Sequence, residues 1–288
     1  MLDVRTTTLW LAIVDDADDA NRLIAETRSG GDEVIAPIPR SALEISPEAE
    51  IWARSDNAGA AAPFGDPLPF AARSSDRASL QCVVLNRQGD AGGDDVATAF
   101  PFAVSGPQAF LEVRAVTPFD DGAGAMIAAG YQGAELIFCD PIFYMDKKRL
   151  RIGEIQQFTL TAIAFWVDPV SPEQLAEWGI TPNVALIQPD RPAGDDEAVE
   201  PDWRRFYGAI KSIDHTEFDG LPITILDVRV VDGEPSLHVS VYAAPKALPE
   251  DFHPQPGDVI TGAVWATGYL SGSWPHMPSS GLDLYSRI

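Results

Sequence analysis

Asp140, Tyr144, Asp146 and Lys147 cluster between two strand-like runs. Carboxylates this close can share a proton, because one negative charge raises the pKa of its neighbour, and an acid/base pair is the chemistry such a cluster could carry. The plainer reading, and the one expected here, is a charged loop opening at Asp140-Pro141. Lys147, Lys148, Arg149 and Arg151 follow as a dense basic run. It could hold an anion, but relief of local repulsion or pairing with acidic loops of the same molecule is expected.

The four histidines, His215, His238, His253 and His276, lie toward the C-terminal end. None forms H-x-x-x-H or H-E-x-x-H, and convergence on a metal with Asp214, Asp219 or Asp258 is conceivable without being required. Asp15, Asp16, Asp18 and Asp19 look like metal ligands until one notes that a helix follows: carboxylates cap its free N–H groups and suit its positive end. Gln88 to Asp95 is rich in glycine, yet no Gly-Lys-Ser/Thr follows and no G-x-G-x-x-G opens a helix. A G-x-S-x-G elbow is also lacking. No residue is therefore assigned a catalytic, cofactor-binding or metal-binding role. Of the seven tryptophans, Trp10, Trp52, Trp166 and Trp265 sit in strand patterns and are expected in cores. Trp178, Trp203 and Trp274 lie near element ends, where an amphipathic ring seals a junction; Trp274 is expected to pin the C-terminal tail.

The elements that must position these groups are mostly short strands. Thr6 to Val14 reads as a buried strand, and Ala17, Ala20, Ile24 and Thr27 share one face of a helix stopped at Gly30-Gly31. Val34 to Pro39, Ala49 to Ala53 and Leu80 to Leu85 look like further strands, with a Pro-rich loop from Asn57 to Pro69.

Beyond residue 105 the pattern repeats. Gly153 to Trp166 and Gly257 to Leu270 align, Gly257 lying 104 residues beyond Gly153; Ala162 meets Ala266, Ala164 meets Gly268 and Phe165 meets Tyr269. Upstream, Phe110 to Gly122 matches Tyr207 to Gly220, each an alternating strand running into Asp-Gly, a pair suited to a tight turn. Leu136 to Cys139 matches Leu237 to Val241. Ala162, Ala164, Ala266 and Gly268 are expected to be buried where another element comes close. Ser171, Pro172 and Gln174 start a short helix ending at Gly179, and Arg191 to Asp202 reads as a linker.

The expected fold is mainly β with a mixed α/β N-terminal part. Residues 1–105 form the mixed part, 106–170 a first small barrel, 171–205 a short helix and acidic linker, and 206–288 a second barrel with its tail. Each barrel resembles the oligonucleotide/oligosaccharide-binding (OB) type, with an SH3-like barrel or a β-sandwich as fallback.

Charge bounds the function. The chain of 288 residues carries a net charge of −23 with only four lysines. Between Phe206 and Ile288 four basic side chains face ten acidic ones, a balance that opposes a nucleic-acid groove despite the fold analogy. Cys82 and Cys139 sit in apolar runs and are expected as buried, reduced thiols in a cytoplasmic protein. No signal peptide or membrane span is expected. The function expected is a non-catalytic, acidic protein-binding or scaffold module, for which a basic protein is the partner that the charge suggests. The alternatives are a hydrolase with an Asp/His site at the junction of the repeats, and an oligosaccharide or nucleic-acid binder using an OB-like face.

Overall fold

The computed structural model describes residues 9–30, 32–33, 70–73, 80–88, 94–119, 124–147, 149–177 and 204–272. The strands expected at Val34 to Pro39 and Ala49 to Ala53, the linker at Arg191 to Asp202, and Trp52, Trp178, Trp203, Trp274 and His276 lie outside them. The protein is mainly β. Among the described residues no helix is long and apolar enough to cross a membrane.

Helix α1, Ala17–Gly30, begins where Asp16 accepts the backbone N–H groups of Asp18 and Asp19 at 2.9 Å each. It buries Ala20, Leu23, Ile24 and Thr27, whereas Ala17 stays exposed. The run before it is not a strand where it is described. Leu9 and Trp10 are helical, and the N–H groups of Ile13 and Val14 both bond Trp10 O at 2.9 Å. A short apolar run is compatible with either structure, so periodicity alone could not decide. Four antiparallel strands follow in the order β1 (Asp32–Glu33), β2 (Phe70–Arg73), β3 (Leu80–Gln88) and β4 (Asp94–Ala103).

The remaining strands are β5 (Gln108–Pro118), β6 (Ala125–Tyr131), β7 (Ala134–Asp140), β8 (Ile155–Pro169), β9 (Arg204–Phe218), β10 (Leu221–Val231), β11 (Leu237–Ala243) and β12 (Val259–Leu270). They run in a closed order, β10-β11-β8-β5-β6-β7-β12-β9. The two long strands β8 and β12 also pair with each other, antiparallel, from Ile260↔Pro169 to Leu270↔Phe158. This shared ribbon closes two five-stranded circuits. One is β8-β5-β6-β7-β12 and the other β12-β9-β10-β11-β8, each with a single parallel seam, β7 against β12 and β11 against β8. Segments 106–170 and 206–272 thus belong to one sheet.

The turns ahead of the ribbon strands are alike. Gly153 and Gly257 have φ of +81° and +100°, a region that a side chain rarely adopts. Each donates its N–H at 2.7 Å to a strand carbonyl, Val113 O and Ile210 O. The same two strand residues donate back to Glu154 O at 3.0 Å and Asp258 O at 2.9 Å. Asp219-Gly220, both at positive φ, makes the two-residue turn between Phe218 and Leu221.

One core cluster fills the ring, with Leu111, Ile127, Phe138 and Phe158 from one half and Phe206, Leu226, Val239 and Val264 from the other. Ala162 and Ala164 are fully buried, Ala266 is 2% exposed, and a Cβ on Gly268 would lie 2.7 Å from the Phe138 ring. The small residues therefore mark a close approach. A second cluster joins α1, β3 and β4 to the outer face of the ribbon through Trp10, Phe102, Ile163, Trp265 and Tyr269. Trp166 is only half-buried. Tyr269 and Tyr242 clamp the β4–β5 connector by donating to Val104 O and Ser105 O, each at 2.7 Å. Burial pushes both phenols up to about 12.

Candidate functional site

Two groupings of reactive side chains stand out among the described residues. The first lies where β7 ends. The chain leaves Asp140, forms the one-turn helix α2 (Phe143–Asp146) and returns through Arg149 and Leu150 toward β8. Asp140 and Asp146, expected in a charged loop, are both fully buried. Asp140 Oδ1 accepts the Ile142 N–H at 3.1 Å, and Asp146 Oδ2 accepts the Leu270 N–H of β12 at 2.9 Å. Burial first, and the neighbouring Asp146 charge second, hold the Asp140 carboxyl well above the usual carboxylate range. Drawn as a carboxylate, Asp140 leaves Oδ2 with no donor. Drawn as an acid, Asp140 has a proton to offer, and the neighbouring Asp146 carboxylate favours that form. The two carboxyls that the spacing brings together thus lie buried as neighbours. The two arginines of the basic run are engaged within the molecule: Arg149 reaches Asp146 at 3.9 Å and Ser271 O at 3.2 Å, and Arg151 bonds Leu150 O at 2.8 Å.

The second grouping was missed by the sequence reading. His238, on β11, places Nδ1 3.1 Å from Asp227 Oδ1 on β10 and Nε2 2.8 Å from Ser236 Oγ. Alternation puts Ser236 and His238 on one face of the sheet, and the β10–β11 register sets Asp227 diagonally across. The His238 side chain is 12% exposed and that of Asp227 27%. The turn preceding Ser236 is held from the other half of the ring, because Tyr131 and Gln132 both donate to Pro235 O, at 2.5 and 3.1 Å. Along the same face Asp227 also borders a cavity of about 340 Å³ with Ser105, Ser212, Asp214, Ser240 and Tyr242.

Among the described residues the other histidines, His215 and His253, do not join this grouping. His215 and His253 share a different cavity of about 450 Å³, with Thr224 and Gln255. Of the carboxylates weighed as their partners, Asp219 accepts from Arg22 at 2.8 Å and Asp258 from the Gln255 N–H at 2.8 Å. Among the described residues no three His, Cys, Asp or Glu side chains gather as a metal site. Cys82 and Cys139 are buried thiols, and neither is in a disulfide.

A third feature is a surface. Among the described residues the large apolar side chains left exposed are Leu11, Phe110, Ile152 and Ile155. Phe110 is 64% and Ile155 70% exposed. They stand on adjacent strands, since Phe110 pairs with Gln157 and Glu112 with Ile155, so the two apolar groups are diagonal neighbours on the outer face. Glu112 stands directly across from Ile155. No protein-family model matches the chain, and no curated protein matches it.

Proposed function

We propose that the protein is a non-catalytic, acidic protein-binding module built from two OB-like units whose last strands form a common wall. Support for the duplicated unit comes from matching connections: β5-β6-β7 and β9-β10-β11 are antiparallel runs, each closed by one ribbon strand antiparallel and the other parallel. Each circuit has five strands, the number in an OB-type barrel. The observation carrying the binding role is the Phe110–Ile155 pair. A closed sheet has no edge to offer, so an exposed apolar pair on its outer face is the place where a partner gains most from excluding water. With Glu112 at its rim and a net charge of −23 behind it, that face suits a partner presenting an apolar side chain flanked by Lys or Arg.

The test is affinity capture from the native cell with wild type and with Phe110→Glu/Ile155→Glu, both shown folded by circular dichroism. Captured proteins of basic composition are expected to fall at least about tenfold with the double variant, the equivalent of about 1.4 kcal/mol. An unchanged captured set would place binding elsewhere.

A hydrolase is the second reading, favoured by the Asp227–His238–Ser236 chain of hydrogen bonds. With Nδ1–H donated to Asp227, His238 Nε2 can take the proton of Ser236 as Oγ attacks an acyl carbonyl, then return it to the leaving group. This grouping lies on the β10–β11 hairpin. Covalent labelling by a fluorophosphonate probe, lost in Ser236→Ala and in His238→Ala, is the expected result on this reading. Absence of labelling in folded wild type removes it.

A further inference from the structure

We propose that Asp140 and Asp146 form a proton-dependent latch that closes the ring of strands where β7 meets β12. The two parallel seams of the ring differ. The β11–β8 seam is held by three registered pairs, Ser240↔Thr161, Val241↔Ala162 and Tyr242↔Ile163. The β7–β12 seam has one, Cys139↔Thr267. What the second seam lacks in ladder bonds is supplied just beyond its single pair. Asp146 Oδ2 takes the Leu270 N–H of β12, and Arg149 donates to Ser271 O, one residue further. At the corresponding end of β11 the chain continues as Ala243-Ala244 into the turn Pro245–Ala247, with no carboxylate. The acids are therefore specific to the weaker seam.

The latch holds one proton. Both carboxyls are fully buried, and two anions side by side away from water are costly, so the closed seam needs Asp140 as an acid donating to the Asp146 carboxylate. The charged and titratable groups near the pair include Arg149, 3.9 Å from Asp146 Oδ1, Lys147, which adjoins it in the chain, and Tyr269 of β12, whose phenol the Asp146 charge helps to raise. Strand β6, paired with this end of β7, brings Ala125 and Met126 and no charge. A guanidinium at that distance offsets part of the Asp146 charge.

The sign follows from linkage. The raised Asp140 carboxyl binds its proton more tightly folded than unfolded. The latch contribution is complete below the ordinary Asp range, near pH 4, and is lost as pH rises through the folded-state value. Release of that proton forces hydration of the pair, which the seam can supply only by letting β7 and α2 part from β12.

Hydrogen exchange on the full chain, corrected for intrinsic rates and followed by mass spectrometry across a pH series, tests the latch. Protection in segments 134–147 and 264–272 is expected to fall with rising pH, by up to about tenfold per pH unit for one linked proton. The segment 237–243 of the other seam is expected to hold. Asp140→Asn keeps an N–H donor for Asp146 and removes the proton, so its protection is expected to be high and independent of pH. Should that variant fail to fold, the contrast of the two seams in wild type decides alone. Loss that is uniform over both seams, or absent from both, overturns the latch, as does Asp140→Asn titrating like wild type.

Discussion

Trp10→Ala is expected to lower stability by about 3–5 kcal/mol, the cost of deleting a fully enclosed aromatic ring. Trp10 is 0% exposed, donates its indole N–H to Ala99 O of β4 at 3.2 Å, and stacks on Phe218 at the end of β9, with centroids 6.4 Å apart. One side chain therefore ties the N-terminal sheet to the ring of strands. Three further ties lie near it. Arg22 of α1 bonds Asp219 at 2.8 Å, Lys246 reaches Val14 O, and Asp15 stands 3.7 Å from the same ammonium. These are exposed or half-exposed polar contacts that together contribute little beside the ring. Trp10→Phe keeps most of the contact and leaves Ala99 O short of a donor, so a loss of about 1–3 kcal/mol is expected. Urea denaturation checks both. The midpoint should fall without a change of slope if the two layers unfold together. A fall below about 1 kcal/mol for Trp10→Ala would mean that the segment before α1 does not brace the ring.

Local chemistry was legible in the chain and non-local closure was not. Asp16 as cap of α1, Ser171 and Gln174 exchanging hydrogen bonds at the start of α3 (Pro172–Glu177), Asp219-Gly220 as a tight turn and Gly153 matching Gly257 all follow from residue type within a few positions. The parallel seams join residues more than seventy positions apart, and nothing in the period of a strand names the partner it will meet. That is why Asp140 and Asp146 read as a solvated loop. Their burial comes from β12, through Leu270, and β12 is invisible from residues 140–146. For Ser236 and His238 the alternation was visible. The third member, Asp227, required the β10–β11 register and its shift between Arg229 and Val231. Phe110 shows the opposite limit. Its strand alternates exposed and buried from Gln108 to Val113, so its outward position was readable, whereas its being left uncovered depends on what packs outside.

Gly262→Ala is expected to be as damaging as the loss of a large core side chain, although it adds one carbon. A Cβ built on Gly262 would lie 2.3 Å from Trp166 O and 2.8 Å from Phe206 Cε1. The first obstacle is backbone of the partner ribbon strand, paired in register at Gly262↔Val167, and it cannot rotate away. Relief requires β8 and β12 to separate just before the register shift between Ala263 and Val264, where the ribbon already departs from a regular ladder. Both circuits share that ribbon, so the strain is felt on both sides, and a destabilisation of about 3 kcal/mol or more is expected. Ala266→Leu, four residues on, is the graded comparison. It enters the packed core of the ring at a 2%-exposed position and meets side chains that can partly yield, so about 1–3 kcal/mol is expected. Equilibrium denaturation of the two variants separates the effects. Gly262→Ala should shift the midpoint further than Ala266→Leu despite its smaller added volume. The reverse order would mean that core volume, rather than the approach of the two backbones, limits the wall between β8 and β12.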